Sequence, residues 1–93
     1  MLKKIIKCST SWCGPCRAFR PIFEKVSKME KYKDIEFKEC DIENDEDADM
    51  LCEKHRIMAV PATLLLDENG ELITKVSGLL DENTFTDIID ERM

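Results

Sequence analysis

Basic residues are in deficit. Fourteen Lys and Arg stand against twenty Asp and Glu, a formal charge of −6. The positive surface that general nucleic-acid binding needs is therefore missing, as is the attraction that docks a protein on anionic lipid. No apolar run approaches the roughly 20 residues of a membrane helix. The opening MLKKIIKC is basic but lacks a long apolar stretch and a small-residue cleavage site, so it is a poor secretory signal. A chain that begins with Met1 reads as complete and cytoplasmic. No repeat, low-complexity tract or Pro/Gly/Ser linker divides it, and 93 residues suit a single domain, residues 1–93. Cysteine is present in an odd number, five. A secreted, disulfide-stapled scaffold would pair them all, so a reducing compartment fits better. Hydrophobic residues make up 43% of the chain, enough for a core and too many for disorder.

Strand and helix patterns alternate. KKIIKC, residues 3–8, is a β-branched run that predicts a strand. From Pro15 to about Lys31, Phe19, Ile22, Phe23 and Val26 recur at helical spacing. Pro15 fits the first turn, where its missing N–H is not needed, and Pro21 should kink the helix. IEFKEC, residues 35–40, alternates as a second strand. ENDEDADMLCEKHRI predicts a helix capped by Asn44 or Asp45, with Met50, Leu51 and Ile57 on its buried side. ATLLLD and ELITKVS flank the hairpin signal Asn69-Gly70, and DENTFTDIIDERM closes the chain as a helix with Phe85, Ile88 and Ile89 on one side. The class is α/β, in the order β-α-β-α-β-β-α. A right-handed crossover makes the first two strands parallel and the hairpin makes the last two antiparallel. A mixed four-stranded sheet with three helices is expected.

The chemistry concentrates in TSWCGPCRAFRP. Cys13 falls where the first strand gives way to the first helix, so its sulfur can sit over unpaired N–H groups and the positive end of the dipole. Both favour the thiolate. Cys16 lies one turn on, close enough to bond to Cys13 and better covered. Cys13 can then attack a substrate disulfide and Cys16 can resolve the mixed disulfide. Pro15 stiffens the ring, Trp12 shields one side, and Arg17 and Arg20 add local positive charge. A zinc site would need two further ligands. Cys40, Cys52 and His55 are available, but the pair is locked at a helix start, and no metal site is expected.

WCGPC resembles the active site of the thioredoxin family, and the likeness runs over nearly the whole chain. Pro21 matches the proline within the first helix, AVPAT the loop carrying a cis-proline, here Pro61, and Gly78 a glycine near the substrate groove. The resemblance implies a minimal thioredoxin fold and a protein-disulfide reductase. Such a protein binds no cofactor and is recharged by thioredoxin reductase, a flavin enzyme that draws electrons from NADPH. It implies a groove at Trp12, Gly14, Pro15, Ala59, Val60, Pro61 and Gly78, with substrate backbone pairing at Val60. The expected partners are thioredoxin reductase and disulfide-containing proteins, with no nucleic acid or membrane, and the protein is expected to be a monomer.

This chain also departs from the family. It begins almost directly on the active-site strand, without the usual extra strand and helix. Ala62 separates Pro61 from Thr63. Lys7 stands where the family carries a buried aspartate that handles a proton during resolution. Aligning EFKECDI places Glu39 near the family's neighbouring lysine, so Lys7 and Glu39 are a candidate proton-handling pair with exchanged charges; the alternative is that Lys7 snorkels to solvent. Cys8 and Cys40 read as small buried hydrophobes sooner than as regulatory thiols, Cys52 equally as either, and His55 as an ordinary residue whose charge suits a helix end. The acidic run 43–49 reads as a capped, solvated helix start. A glutaredoxin-like, glutathione-dependent oxidoreductase and a non-catalytic docking module are the rival functions. Gly14-Pro15 between the cysteines disfavours the first, and the intact dithiol the second.

Overall fold

The computed structural model describes residues 1–46 and 54–93. Its order is β1 (Leu2–Ser9), α1 (Gly14–Ser27), a 3₁₀ turn (Glu30–Tyr32), β2 (Glu36–Asp41), β3 (Ala62–Asp67), β4 (Leu72–Ser77) and α2 (Glu82–Arg92). The sheet has four strands in the order β2-β1-β3-β4. β1 runs parallel to β2 and antiparallel to β3, and β3 runs antiparallel to β4. This is the mixed sheet that the strand patterns and the hairpin require.

Two α-helices, not three, are seen among the described residues. The helix expected between β2 and β3 falls largely on residues 47–53, which lie outside them, as do Met50, Leu51 and Cys52. Its expected caps occupy a turn: Asn44 Nδ2 donates to Asp41 Oδ2 at 2.8 Å, and Asp45 Oδ2 accepts from the Asp41 amide at 2.9 Å. Ile57 lies beyond any helix, in the loop before β3.

α1 also ends earlier than its apolar spacing suggests, at Ser27 rather than near Lys31. The next residues tighten into the 3₁₀ turn, where Tyr32 is fully buried and donates its hydroxyl proton to Asp90 Oδ1 at 2.8 Å. Anchoring this tyrosine against α2 takes precedence over another turn of α1. Pro21 lies inside α1, which continues through it.

Alternation along the strands sends successive side chains to opposite faces. One face carries Ile5 and Leu65 beneath Phe19, Phe23 and Val26 of α1 and Phe85 and Ile89 of α2. Phe85 meets Phe19 edge-on at 5.3 Å and stacks on Phe23 at 5.9 Å. Ile88 packs at the margin, partly buried, as does Phe37. The other face gathers Ile6, Cys8, Cys40, Ala62, Leu64 and Leu66, with Ile42 and Ile57 against them. α2 starts on Asp81, whose carboxylate accepts from the Thr84 amide at 2.7 Å. Gly70 closes the β3–β4 hairpin at φ +80°, a conformation open to glycine at no steric cost.

Candidate active site

β1 delivers the chain to the end of the sheet, and residues 10–12 turn it into α1. Cys13 is the N-cap, with φ −84° and ψ 116°, and its Sγ accepts the Cys16 amide hydrogen at 3.2 Å. The sulfur thus takes the place a serine or aspartate oxygen usually fills. No acidic residue occupies the first turn of α1, so no carboxylate competes for the positive end of the helix. The Cys13 thiol donates to the Val60 carbonyl at 3.7 Å. Both cysteines are thiols here and both are covered, Cys13 at 6% and Cys16 at 3% exposure. Coverage therefore distinguishes them less than expected; their bonds distinguish them more.

Burial pushes the Cys16 thiol up, and so do its hydrogen bond with Cys13 and the charge on that sulfur. A backbone hydrogen bond from Thr10 and the Lys7 ammonium pull the other way. Lys7 does not snorkel. It is 1% exposed, and its Nζ lies 3.0 Å from Glu39 Oε1 and 5.4 Å from the centre of the Phe23 ring. The two residues are direct partners in the β1–β2 ladder. A polar cleft of about 400 Å³ is lined by Lys7, Glu39 and Cys16, with Arg17 and Arg20 also in its wall.

On the other side of Cys13 lies an apolar cavity of about 510 Å³. Trp12, Gly14, Pro15, Ala59 and Val60 line it, as do Ile42, Ile57 and Met58, which the motif does not point to. Met58 is 95% exposed and Trp12 68% exposed, so the cavity's rim presents bare apolar surface to solvent. The Val60–Pro61 peptide bond is cis. Pro61 is buried beneath the rim, and its carbonyl accepts the Gly78 amide hydrogen at 2.7 Å. Neither Pro61 nor Gly78 lines the cavity.

Two further residues hold the surrounding loops. Glu43 Oε1 accepts from the Ser11 amide and hydroxyl, both at 3.2 Å, steadying the turn before Cys13. Lys75 Nζ donates to the carbonyls of His55 at 2.9 Å and Arg56 at 3.0 Å, at the start of the rim segment 57–60. His55 does stand at a helical end, just before the turn at Arg56, but its charged form is disfavoured there. It is 8% exposed, and burial, followed by the charges of Lys54 and Lys75, holds its imidazole below the usual value of 6.5.

A family model described as Thioredoxin matches residues 2–91. The chain is 35% identical over 74 residues to thioredoxin Asp f 29 of Aspergillus fumigatus, covering 80% of this chain but only 64% of that one, under two thirds of its length. It is 36% identical over 89 residues to a thioredoxin of Borreliella burgdorferi, covering 94% of this chain and 70% of the relative. A solved Schistosoma mansoni thioredoxin superposes with a TM-score of 0.80 at 28% identity, covering 97% of this chain and 78% of that chain.

Proposed function

Because the chain belongs to the thioredoxin family, whose members are thiol–disulfide oxidoreductases, we propose that it reduces protein disulfides through Cys13 and Cys16. The observation that carries this reading is Cys13 Sγ at the α1 N-cap, held at 3.2 Å by the Cys16 amide and opening on the apolar cavity. The Cys13 thiolate attacks a substrate sulfur and expels the other as a thiolate, leaving a mixed disulfide. Cys16 loses its proton and attacks the Cys13 sulfur, the substrate leaves as a second thiolate, and Cys13 and Cys16 are left joined.

Timing follows from the balance at Cys16. Its hydrogen bond with Cys13 and the charge on that sulfur keep the Cys16 proton in place. A mixed disulfide removes both. Lys7 and the Thr10 backbone then act against burial alone, and Cys16 ionises more readily when it is needed. Glu39, paired with Lys7 beside the cleft it shares with Cys16, takes up that proton and returns it. Lys7 steadies the developing thiolate.

The substrate lies across Trp12, Gly14, Pro15, Ala59 and Val60, its backbone along Val60 and its apolar side chains on Met58 and Ile57, while Pro61, hydrogen-bonded to Gly78 beneath the rim, supports Val60 from below. Thioredoxin reductase returns two electrons from NADPH through its flavin, and the protein works as a monomeric cytoplasmic domain, residues 1–93. The test is insulin-disulfide reduction driven in parallel by NADPH with thioredoxin reductase and by glutathione with glutathione reductase. Turnover with the first and not the second is expected. Turnover only with glutathione would replace the recharging route, and none with either would leave a docking module.

A further inference from the structure

A second pair of cysteines meets inside the sheet, away from the active dithiol. Cys8 and Cys40 are direct Cα partners in the parallel β1–β2 ladder. Neighbouring strands stand about 4.8 Å apart, within the roughly 4.4–6.8 Å span over which a disulfide closes. Both side chains join Ile6, Ala62, Leu64 and Leu66 in the apolar cluster, on the sheet face opposite α1. Cys8 is 0% and Cys40 5% exposed. Cys8 also pairs with Ala62 across the β1–β3 ladder, next to Pro61, and β1 ends one residue later at the turn into Cys13. The pair therefore touches both segments that shape the active site.

We propose that Cys8 and Cys40 form an internal redox pair, which peroxide oxidises to a cross-strand disulfide that slows exchange at Cys13 and Cys16. Cys40, the less enclosed of the two, attacks hydrogen peroxide as its thiolate. The O–O bond breaks, hydroxide leaves, and a sulfenic acid forms. Cys8 then attacks the Cys40 sulfur, the S–O bond breaks and the oxygen leaves as water. The two thiols supply two electrons, and each peroxide yields two waters. In a parallel ladder the two Cβ vectors run side by side instead of converging, so the new bond strains β1 at the residue that supports Ala62. Strain raises the reduction potential and makes the bond easy to reverse. Burial makes the reaction slow, so the pair responds to sustained oxidation.

The cross-link is read by mass and does not depend on the reductase reading; its effect on rate does. A Cys13→Ser/Cys16→Ser/Cys52→Ser protein retains only Cys8 and Cys40 of the five cysteines. Exposed to hydrogen peroxide while folded, it should lose the mass of two hydrogens and give a Cys8–Cys40 joined peptide on digestion. The same joined peptide should appear in the five-cysteine protein, which covers the case in which the triple variant does not fold. Persistence of both thiols, a sulfinic acid on either, or linkage of either to Cys52 in that protein would overturn the proposal. In the rate measurement, peroxide-treated protein whose active dithiol has been recharged should reduce insulin severalfold more slowly than untreated protein. Dithiothreitol should restore the rate, and Cys40→Ala should keep it through peroxide treatment. Equal loss with Cys40→Ala would refute the regulatory effect. No reduction by the untreated protein would instead count against the reductase reading, with the mass result unaffected.

Discussion

Replacing Glu39 by Gln removes the charge facing a buried lysine and tests the arrangement beneath the dithiol. Lys7 Nζ and Glu39 Oε1 are 3.0 Å apart, with side-chain exposures of 2% and 38%. At an effective dielectric of about 20 their attraction is on the order of 5.5 kcal/mol. Water reaches the glutamate, so roughly half of that is the part Lys7 loses when the carboxylate goes, and the ammonium cannot turn to solvent. Glu39→Gln should therefore cost about 2–3 kcal/mol of folding stability, just under the roughly 3–5 kcal/mol lost when a fully buried pair is broken. Lys7→Met behaves differently. It removes the desolvated ammonium, keeps much of the chain length over Phe23, and leaves a carboxylate that water can solvate, so its cost should stay within about 1 kcal/mol. The double variant should then be more stable than Glu39→Gln alone, with a coupling of about 1.5–2 kcal/mol. Urea unfolding of the reduced proteins at pH 7, with m unchanged, measures all three. Lys7→Met also removes a side-chain charge that pulls the Cys16 thiol down, so mixed-disulfide resolution should slow at pH 7 and recover as pH rises. A neutral Glu39→Gln with additive effects in the double variant would refute the pair, and an unshifted pH profile would refute the link to Cys16.

At the dithiol, Cys13→Ser should abolish disulfide reduction, whereas Cys16→Ser should stall as a trapped mixed disulfide visible on a non-reducing gel; capture by Cys13→Ser alone would reverse the roles. His55 should make stability fall on mild acidification. The folded imidazole takes up its proton at a lower pH than the unfolded chain, which is protonated below 6.5, so stability drops by up to about 1.4 kcal/mol per pH unit until the folded group is protonated too. His55→Gln should flatten that slope in urea titrations, and an unchanged slope would place its origin elsewhere. Lys75→Met frees the carbonyls of His55 and Arg56 and should raise KM for insulin severalfold while changing kcat little; a loss confined to kcat would contradict a role in holding the rim. Asp81→Ala should lower stability by about 1 kcal/mol through loss of the α2 cap, read as a shift in urea midpoint.

Much of this molecule is written locally. Strand alternation, the apolar spacing of Phe19, Phe23 and Val26, and the Asn69-Gly70 turn are short-range patterns, and they lead to the strands, the first helix and the hairpin. The spacing of Cys13 and Cys16 around Gly14-Pro15 is equally local, because one helical turn sets the distance between two sulfurs. Other features depend on register between segments far apart in the chain. Lys7 faces Glu39 and Cys8 faces Cys40 only because β1 and β2 align residue for residue across a crossover; a shift of one position would separate both pairs. The resemblance to a family suggested the first of these pairs, but the burial of Lys7 depends on α1 laying Phe23 over it. Ile42, Ile57 and Met58 come together from two loops at one end of the sheet, where no periodicity marks them. His55 reads as a charge at a helix end until the packing around it removes water. Periodicity records which side of its own element a residue occupies. The partner it meets there, and whether water follows it in, were decided only when the sheet assembled and the helices covered it.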